Sequence, residues 1–364
     1  STRLRRALWP AKALIISASL YSQRQQRARL LIAILAALLP CAMALALASG
    51  AVSLSFLDVG QGLVDTVLGE AVNQNALIVG QIRLPRVLLA AVMGATLAIS
   101  GAAMQGLFRN PLADPSLIGV TAGASLGAAL IIVTGGNLLQ GYIGLSLVSA
   151  GAFVGGVIAV LFVYRLATSA NGTSVATMLL AGIAITALSG SIGSLLEFFA
   201  DNNMLRRISL WKMGGLDGAN YPRLILASVV GGALLVALPR YAGALNALLL
   251  GESEARHLGI KVDRIKLALI IWVAVGVGTS VALVGTIAFV GLVVPHIVRM
   301  LAGPDHRYLM PASALAGALL LVVADALARV VVAPTELPVG VITTIVGVPF
   351  FISLLRNRHH YGMQ

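Results

Sequence analysis

Charge is scarce in this chain. Asp, Glu, Lys and Arg make up 10% of its 364 residues and hydrophobic residues 59%, whereas a soluble domain carries about 25% charged residues. So few charges cannot cover a water-soluble fold of this length, and a mean hydropathy of +0.96 makes lipid the main solvent. Aromatic residues are also few, at 5%, which argues against a barrel with aromatic girdles. The 39 glycines favour helices packed through small side chains, so the expected fold class is an all-α polytopic membrane protein. A single cysteine, Cys41, excludes an intramolecular disulfide and reads as a small core hydrophobe. No lysine follows a glycine, so there is no G-x-x-x-x-G-K-[ST] phosphate loop, and H-E-x-x-H and cysteine pairs are equally missing. The chain is not a P-loop ATPase, and no catalytic constellation emerges.

What is there is a series of apolar runs bounded by charges, Pro or Gly. They predict ten spans, near residues 30–49, 86–106, 115–133, 142–164, 174–197, 222–240, 265–284, 286–301, 308–330 and 338–355. The first run, Leu30 to Ser49, is longer than the roughly 7–15 residues of a signal-peptide core and reads as a membrane helix. With both termini cytoplasmic, 18 of the 25 Lys and Arg fall on the cytoplasmic side, as the positive-inside rule requires. The chain then divides into a basic extension (1–29), a ten-helix domain (30–355) with a cytoplasmic segment at 242–263, and a basic tail (356–364). The net charge of +12 follows from topology; it implies membrane lipid as a partner and no nucleic acid. Glycines four apart, Gly119, Gly123 and Gly127 and again Gly151 and Gly155, predict grooves for close helix approach. Pro295 and Pro349 predict kinks inside spans.

Three groups of residues carry candidate chemistry. Asp325 is the one acid expected at membrane depth, and Arg329 follows it at i+4, so a helix-end ion pair and the coupling carboxylate of an ion-driven carrier are both open. The segment "LLLGESEARHLGIKVDR" can place Leu248, Leu249, Ala255 and Leu258 on an apolar stripe, with Glu252, Glu254, Arg256 and Lys261 toward water. Such a helix suits a cleft in a soluble partner or the membrane surface. On the opposite side "RLPR" sets Arg83 and Arg86 at the mouth of the second span, and Arg329 ends the ninth. Three guanidinium groups there either offer bidentate donors to carboxylates of a docking protein or an anionic solute, or simply snorkel.

The stretches "QIRLPRVLLAAVMGATLAISGAAMQGLFRNPLADPSLIGVTAGASLGAA", "GESEARHLGI", "GTIAFVGLVVPHIVRMLAGPDHRYLMP" and "ADALARVVVAPTELPVGVITTIVGVPFFISLL" resemble the membrane permeases of bacterial ABC importers for iron-siderophores, haem and cobalamin. The resemblance implies a homodimer of ten-helix subunits in the bacterial inner membrane, with a path on the dimer axis. It further implies a cytoplasmic ATPase dimer that binds ATP and Mg, a periplasmic substrate-binding protein, and no cofactor or metal held by this chain. By resemblance, Arg83, Arg86 and Arg329 match arginines that receive acidic residues of the binding protein. Gly251, Glu252, Glu254, Ala255, Arg256, His257, Leu258 and Gly259 match the segment that seats in the ATPase. Thr173, Ser174 and Thr177 lie where this family narrows its cytoplasmic gate, although "TSVAT" differs from the cobalamin permease there. "ADNNMLRRISLWKMGGLDGANY" is similar to the haem permeases, which implies haem as the transported substrate, with a ferric siderophore or cobalamin as alternatives. An ion-coupled secondary carrier using Asp325 is the reading from a different class.

Overall fold

A computed structural model of the chain describes residues 2–69, 73–135, 141–170 and 172–356. The fold is built of helices: α1 (Thr2–Ala48), α2 (Phe56–Leu68), α3 (Gln74–Leu77), α4 (Leu84–Leu107), α5 (Val120–Gly135), α6 (Gly141–Ala167), α7 (Val175–Phe199) and α8 (Asn202–Met213) come first. They are followed by α9 (Tyr221–Ala237), α10 (Ala242–Leu248), α11 (Glu252–His257), α12 (Val262–Val284), α13 (Val290–Ala302), α14 (His306–Val330) and α15 (Val339–Arg356). A two-stranded antiparallel hairpin, β1 (Thr168–Ser169) with β2 (Gly172–Thr173), joins α6 to α7.

Among the described residues, seven helices are long and apolar enough to cross a membrane, and three shorter apolar helices lie at Val120–Gly135, Val290–Ala302 and Val339–Ser353. Each corresponds to one of the ten runs read from the sequence. Pro295 and Pro349 sit inside α13 and α15 as expected. The basic extension runs into the first span without a break, α1 being one helix from Thr2 to Ala48. Of the basic tail only Arg356 is among the described residues.

The differences from expectation lie in what connects the spans. Between the first and second, α2 is an added helix closed by a capping box: Ser55 Oγ accepts from Asp58 N and the Asp58 carboxylate accepts from Ser55 N, each at 3.1 Å. A π-helical turn, Ile78–Arg83, leads into α4. After α4 the chain folds back on itself. Asp114 caps a 3-10 turn, Pro115–Ile118, by accepting from Ser116 N at 2.8 Å, and Gly119 takes φ +80° before α5 begins. Asp114 and Ser116 line a cavity of about 250 Å³ together with Leu97, Val277 and Gly291. Asp114 therefore lies beside the middle of α4. The Gly-Ala-Ser-Leu-Gly stretch over 123–127 is wholly helical and has no strand-to-helix turn of the kind that exposes a nucleophilic serine.

In lipid the apolar side chains gain little by leaving the solvent, so close packing must hold the helices together. The centre is the pair α4 and α14. A Cβ at Gly94 would stand 2.2 Å from Gly317 O, and one at Gly317 would stand 2.3 Å from Gly94 O. Each backbone thus fills the place of the other's side chain. The predicted glycine groove forms between α5 and α6, with Gly123 against Gly155 and Gly127 against Gly151; Gly119 serves the turn instead. Around this core, α1 and α7 are thinly covered. Cys41 is exposed on α1, contrary to its reading as a core residue, and α7 leaves Leu180, Ile183, Leu188 and Leu195 open.

Candidate functional site

The α4–α14 pair carries a polar cluster at each end. At the first, the arginine end, α1 stops at Ala48, where Leu54 N and Ser49 N donate to Ala48 O and Leu45 O but, among the described residues, no backbone N–H meets Ala46 O or Leu47 O, and its own final turn holds no basic residue. Two guanidinium groups from elsewhere in the chain supply the missing donors. Arg329 Nη2 donates to Ala46 O at 2.9 Å and Nη1 to Ser49 O at 3.0 Å. Arg83 Nη1 donates to Leu47 O at 2.6 Å and Ala48 O at 3.1 Å, and Nη2 donates to Val52 O. Cations at a helix C-terminus also complement its dipole.

Arg86 turns the other way. Its Nε meets Asp325 Oδ1 at 2.8 Å and its Nη1 meets Glu336 Oε2 at 2.6 Å. Asp325, fully buried, places Oδ2 3.1 Å from Arg329 Nε without hydrogen-bond geometry. The expected Asp325–Arg329 pair is present, and Arg86 joins it. The picture of three guanidinium groups standing free at the membrane surface needs correction: Arg83, Arg86 and Arg329 are 5%, 6% and 4% exposed. Burial is tolerable because carbonyls and carboxylates take up their donors. Only Glu336 keeps a substantial exposed fraction, and it shares with Arg86, Arg207, Trp211, Asp217 and Arg223 the wall of a cavity of about 400 Å³.

At the other end lies the segment from α10 to α11, the segment end. Gly251, at φ +127°, and Gly259, at φ +81°, turn the chain on either side of α11, whose six residues make barely two turns. The predicted apolar stripe is split. Leu248 and Ala255 are buried against the bundle, while Leu249, Leu250 and Leu258 are exposed. Glu254, Arg256, His257 and Gly259 face outward as well. Glu252, expected in water, instead pairs with buried Lys266 at 2.7 Å. Lys266 Nζ also donates to Thr173 O at 2.8 Å.

That lysine joins two groups the sequence treated separately. Thr173 closes the hairpin through Thr168 Oγ1 at 3.0 Å and points its N–H at Asp263 Oδ1, 3.4 Å away. Asp263 in turn pairs with Arg256 of α11 at 3.2 Å. Ser174 is the N-cap of α7, its Oγ accepting from Thr177 N at 3.3 Å, and both Ser174 and Thr177 are exposed. The residues read as a gate and those read as a coupling segment form one connected patch.

Residues 15–357 match the family model described as the FecCD transport family. The chain belongs to the FecCD transport family. Among FecCD-type relatives, it is 47% identical over 278 residues to the hemin transport system permease protein HmuU of Yersinia pestis, covering 76% of this chain and 83% of that one. It is 46% identical over 284 residues to the cobalamin import system permease protein BtuC of Halobacterium salinarum, covering 77% and 74%. Its fold superposes with TM-score 0.78 on an inward-facing metal-chelate type ABC transporter, at 31% identity over 89% of this chain and 98% of the other. This FecCD chain is an ABC importer permease, a multi-pass transport subunit and not an enzyme.

Sequence reasoning missed two residues of these clusters, Glu336 and Lys266. A signal for Glu336 existed, because a chain with 13 acids offers a buried arginine few counterions. Lys266 carried none that periodicity could reveal.

Proposed function

We propose that this permease moves haem from the periplasm to the cytoplasm across a bacterial inner membrane. ATP hydrolysis in a separate ATPase dimer, which holds ATP and Mg, drives the step. The observation that carries the substrate is the 47% identity to a hemin permease, together with the similarity of residues 200–221 to that group. A cobalamin permease at 46% identity keeps cobalamin, and with it a ferric siderophore, as the second reading. The termini are cytoplasmic in this proposal, and the segment end faces the ATPase. Exposed Leu249, Leu250 and Leu258 supply the apolar anchors there, and Thr173, Ser174 and Thr177 stand at the gate. The open apolar face of α7 supports a second copy of the chain as partner.

The arginine end then receives the acidic binding protein. Since Arg86 is already held by Glu336, a docking carboxylate gains Arg86 by displacing that half-exposed side chain, and Arg83 and Arg329 stabilise the incoming charge behind it. Glu336→Gln should therefore tighten binding-protein docking, and Arg86→Glu should weaken it. An ion-coupled carrier is disfavoured because two guanidinium groups already flank Asp325.

The deciding experiment reconstitutes the permease with its ATPase and binding protein in vesicles, then compares haem, cyanocobalamin and a ferric siderophore for vanadate-sensitive uptake. Haem alone should raise ATP turnover severalfold. Proton uptake without the ATPase would overturn the proposal, and stimulation by cyanocobalamin alone would overturn the substrate.

A further inference from the structure

The segment end holds a contact that neither the ATPase-facing surface nor the gate patch explains. Asn246 lies on α10 among the buried apolar anchors Leu245 and Leu248. Its side chain reaches across to the start of α14 and makes three hydrogen bonds. Nδ2 donates to Asp305 Oδ1 at 2.7 Å, and Oδ1 lies 2.9 Å from His306 N and 2.8 Å from His306 Nδ1. The first two bonds fix which way the amide points, because a carboxylate can only accept and a backbone N–H can only donate. With Oδ1 an acceptor, His306 must carry its proton on Nδ1, leaving the Nε2 lone pair on the far side of the ring.

That far side meets α4. A Cβ at Gly106 would stand 2.5 Å from His306 Nε2 and 2.9 Å from Leu245 Cδ2. Gly106 of α4, His306 of α14 and Leu245 of α10 thus converge on one point, where the missing side chain lets all three touch. From there α4 and α14 are locked together at Gly94 and Gly317 and again at Arg86 and Asp325. A movement of α10 cannot leave the pair at rest unless the bonds of Asn246 break.

We infer that Asn246 is the positioning residue through which displacement of the α10–α11 segment is passed, by way of Asp305 and His306, to the α4–α14 pair and so to the arginine end. This rests on the reading of the chain as an ATP-driven permease. It adds a specific point of force transfer, distinct from the surface that the ATPase covers.

The test uses the full complex of permease, ATPase and haem-loaded binding protein in vesicles, and reads haem delivered per ATP hydrolysed. Asn246→Asp sets a second carboxylate against Asp305, and Asn246→Ala removes the bonds without adding charge. Both should keep the ATPase bound and hydrolysing within about twofold of wild type while haem delivered per ATP falls at least tenfold. In the double variant Asn246→Asp with Asp305→Asn, the amide at 305 can donate to the carboxylate at 246, which still accepts from His306. Asparagine caps a helix as well as aspartate, so the ratio should return to within about twofold of wild type. If Asn246→Asp fails to assemble, Asn246→Ala and the double variant carry the comparison. Assembled single variants with an unchanged ratio, or an assembled double variant that stays uncoupled, would overturn the inference. A wild-type complex with no ATP-dependent haem uptake would instead overturn the proposed function, so the two failures are told apart.

Discussion

At the arginine end of the α4–α14 pair the fastening is ionic: Arg86 and Arg329 flank one buried carboxylate, Asp325. At the segment end it consists of directional hydrogen bonds from one amide, Asn246, to a helix N-terminus. Removing one partner of a buried ion cluster strands a charge and costs about 3–5 kcal/mol. A hydrogen bond that water can replace is worth only about 0.5–1.5 kcal/mol net. The first end is built to stay closed unless another carboxylate takes over. The second can part and re-form over a short movement, which suits the end that a cycling partner touches.

The largest expected effect is a break of the ionic end. Asp325→Ala leaves two buried guanidinium groups without their shared counterion, a loss of about 3–5 kcal/mol. Thermal unfolding followed by size exclusion in detergent should show a drop of many degrees. A variant as stable as wild type would mean the cluster is not the fastening described. Next comes the middle of the pair. Gly317→Leu drives a side chain into Gly94 O, and overpacking should cost about 1–3 kcal/mol, read in the same melt. The matching change at Gly232, whose Cβ would meet nothing within 4 Å, should leave the melt unmoved.

The segment end is probed from its outer surface by Leu258→Asp, at a residue 66% exposed. Because Leu258 is open among the described residues, the isolated permease should keep its stability while ATPase co-purification falls at least tenfold. Equal recovery of the ATPase would leave α11 as a membrane-surface helix. The smallest effect belongs to α2, beside the arginine end. The Ser55 side chain and backbone N–H hold the Asp58 carboxyl below its ordinary 3.8. A lowered folded pKa gives stabilisation that is present above the unfolded value and lost as pH falls through the folded one. Hydrogen exchange at the first α2 amides should rise only below about pH 4, and Ser55→Ala should abolish that pH step.

Comparison of the ends also explains what was legible in advance. The ten apolar runs follow from lipid as solvent, and the Gly123–Gly155 groove from four-residue spacing, because both are local patterns with a helical period. Arg329 and Asp325 were found together since they lie one turn apart. Arg86 and Asp325 are 239 residues apart and Asn246 and His306 lie on different helices; no period links them. The burial of the three arginines is hidden for a related reason. A helix-end arginine reads as surface unless one knows that another helix stops beside it with bare carbonyls. The fold-back after α4 that sets Asp114 beside the helix is also hidden, because a turn of four 3-10 residues leaves no hydropathy signal.

The closure of α1 has a consequence for how the chain is made. The carbonyl of Leu47 waits for Arg83, 36 residues beyond it, and that of Ala46 for Arg329, 283 residues beyond it. Synthesis runs from the N-terminus, so α1 leaves the ribosome with an unfinished end that stays partly open until the ninth span has been inserted. Truncation before α14 removes Arg329, and with it the donors to Ala46 and Ser49. α1 is therefore made well before it is sealed, and an assembly intermediate halted before α14 should be recognisable by proteolysis near Ser49.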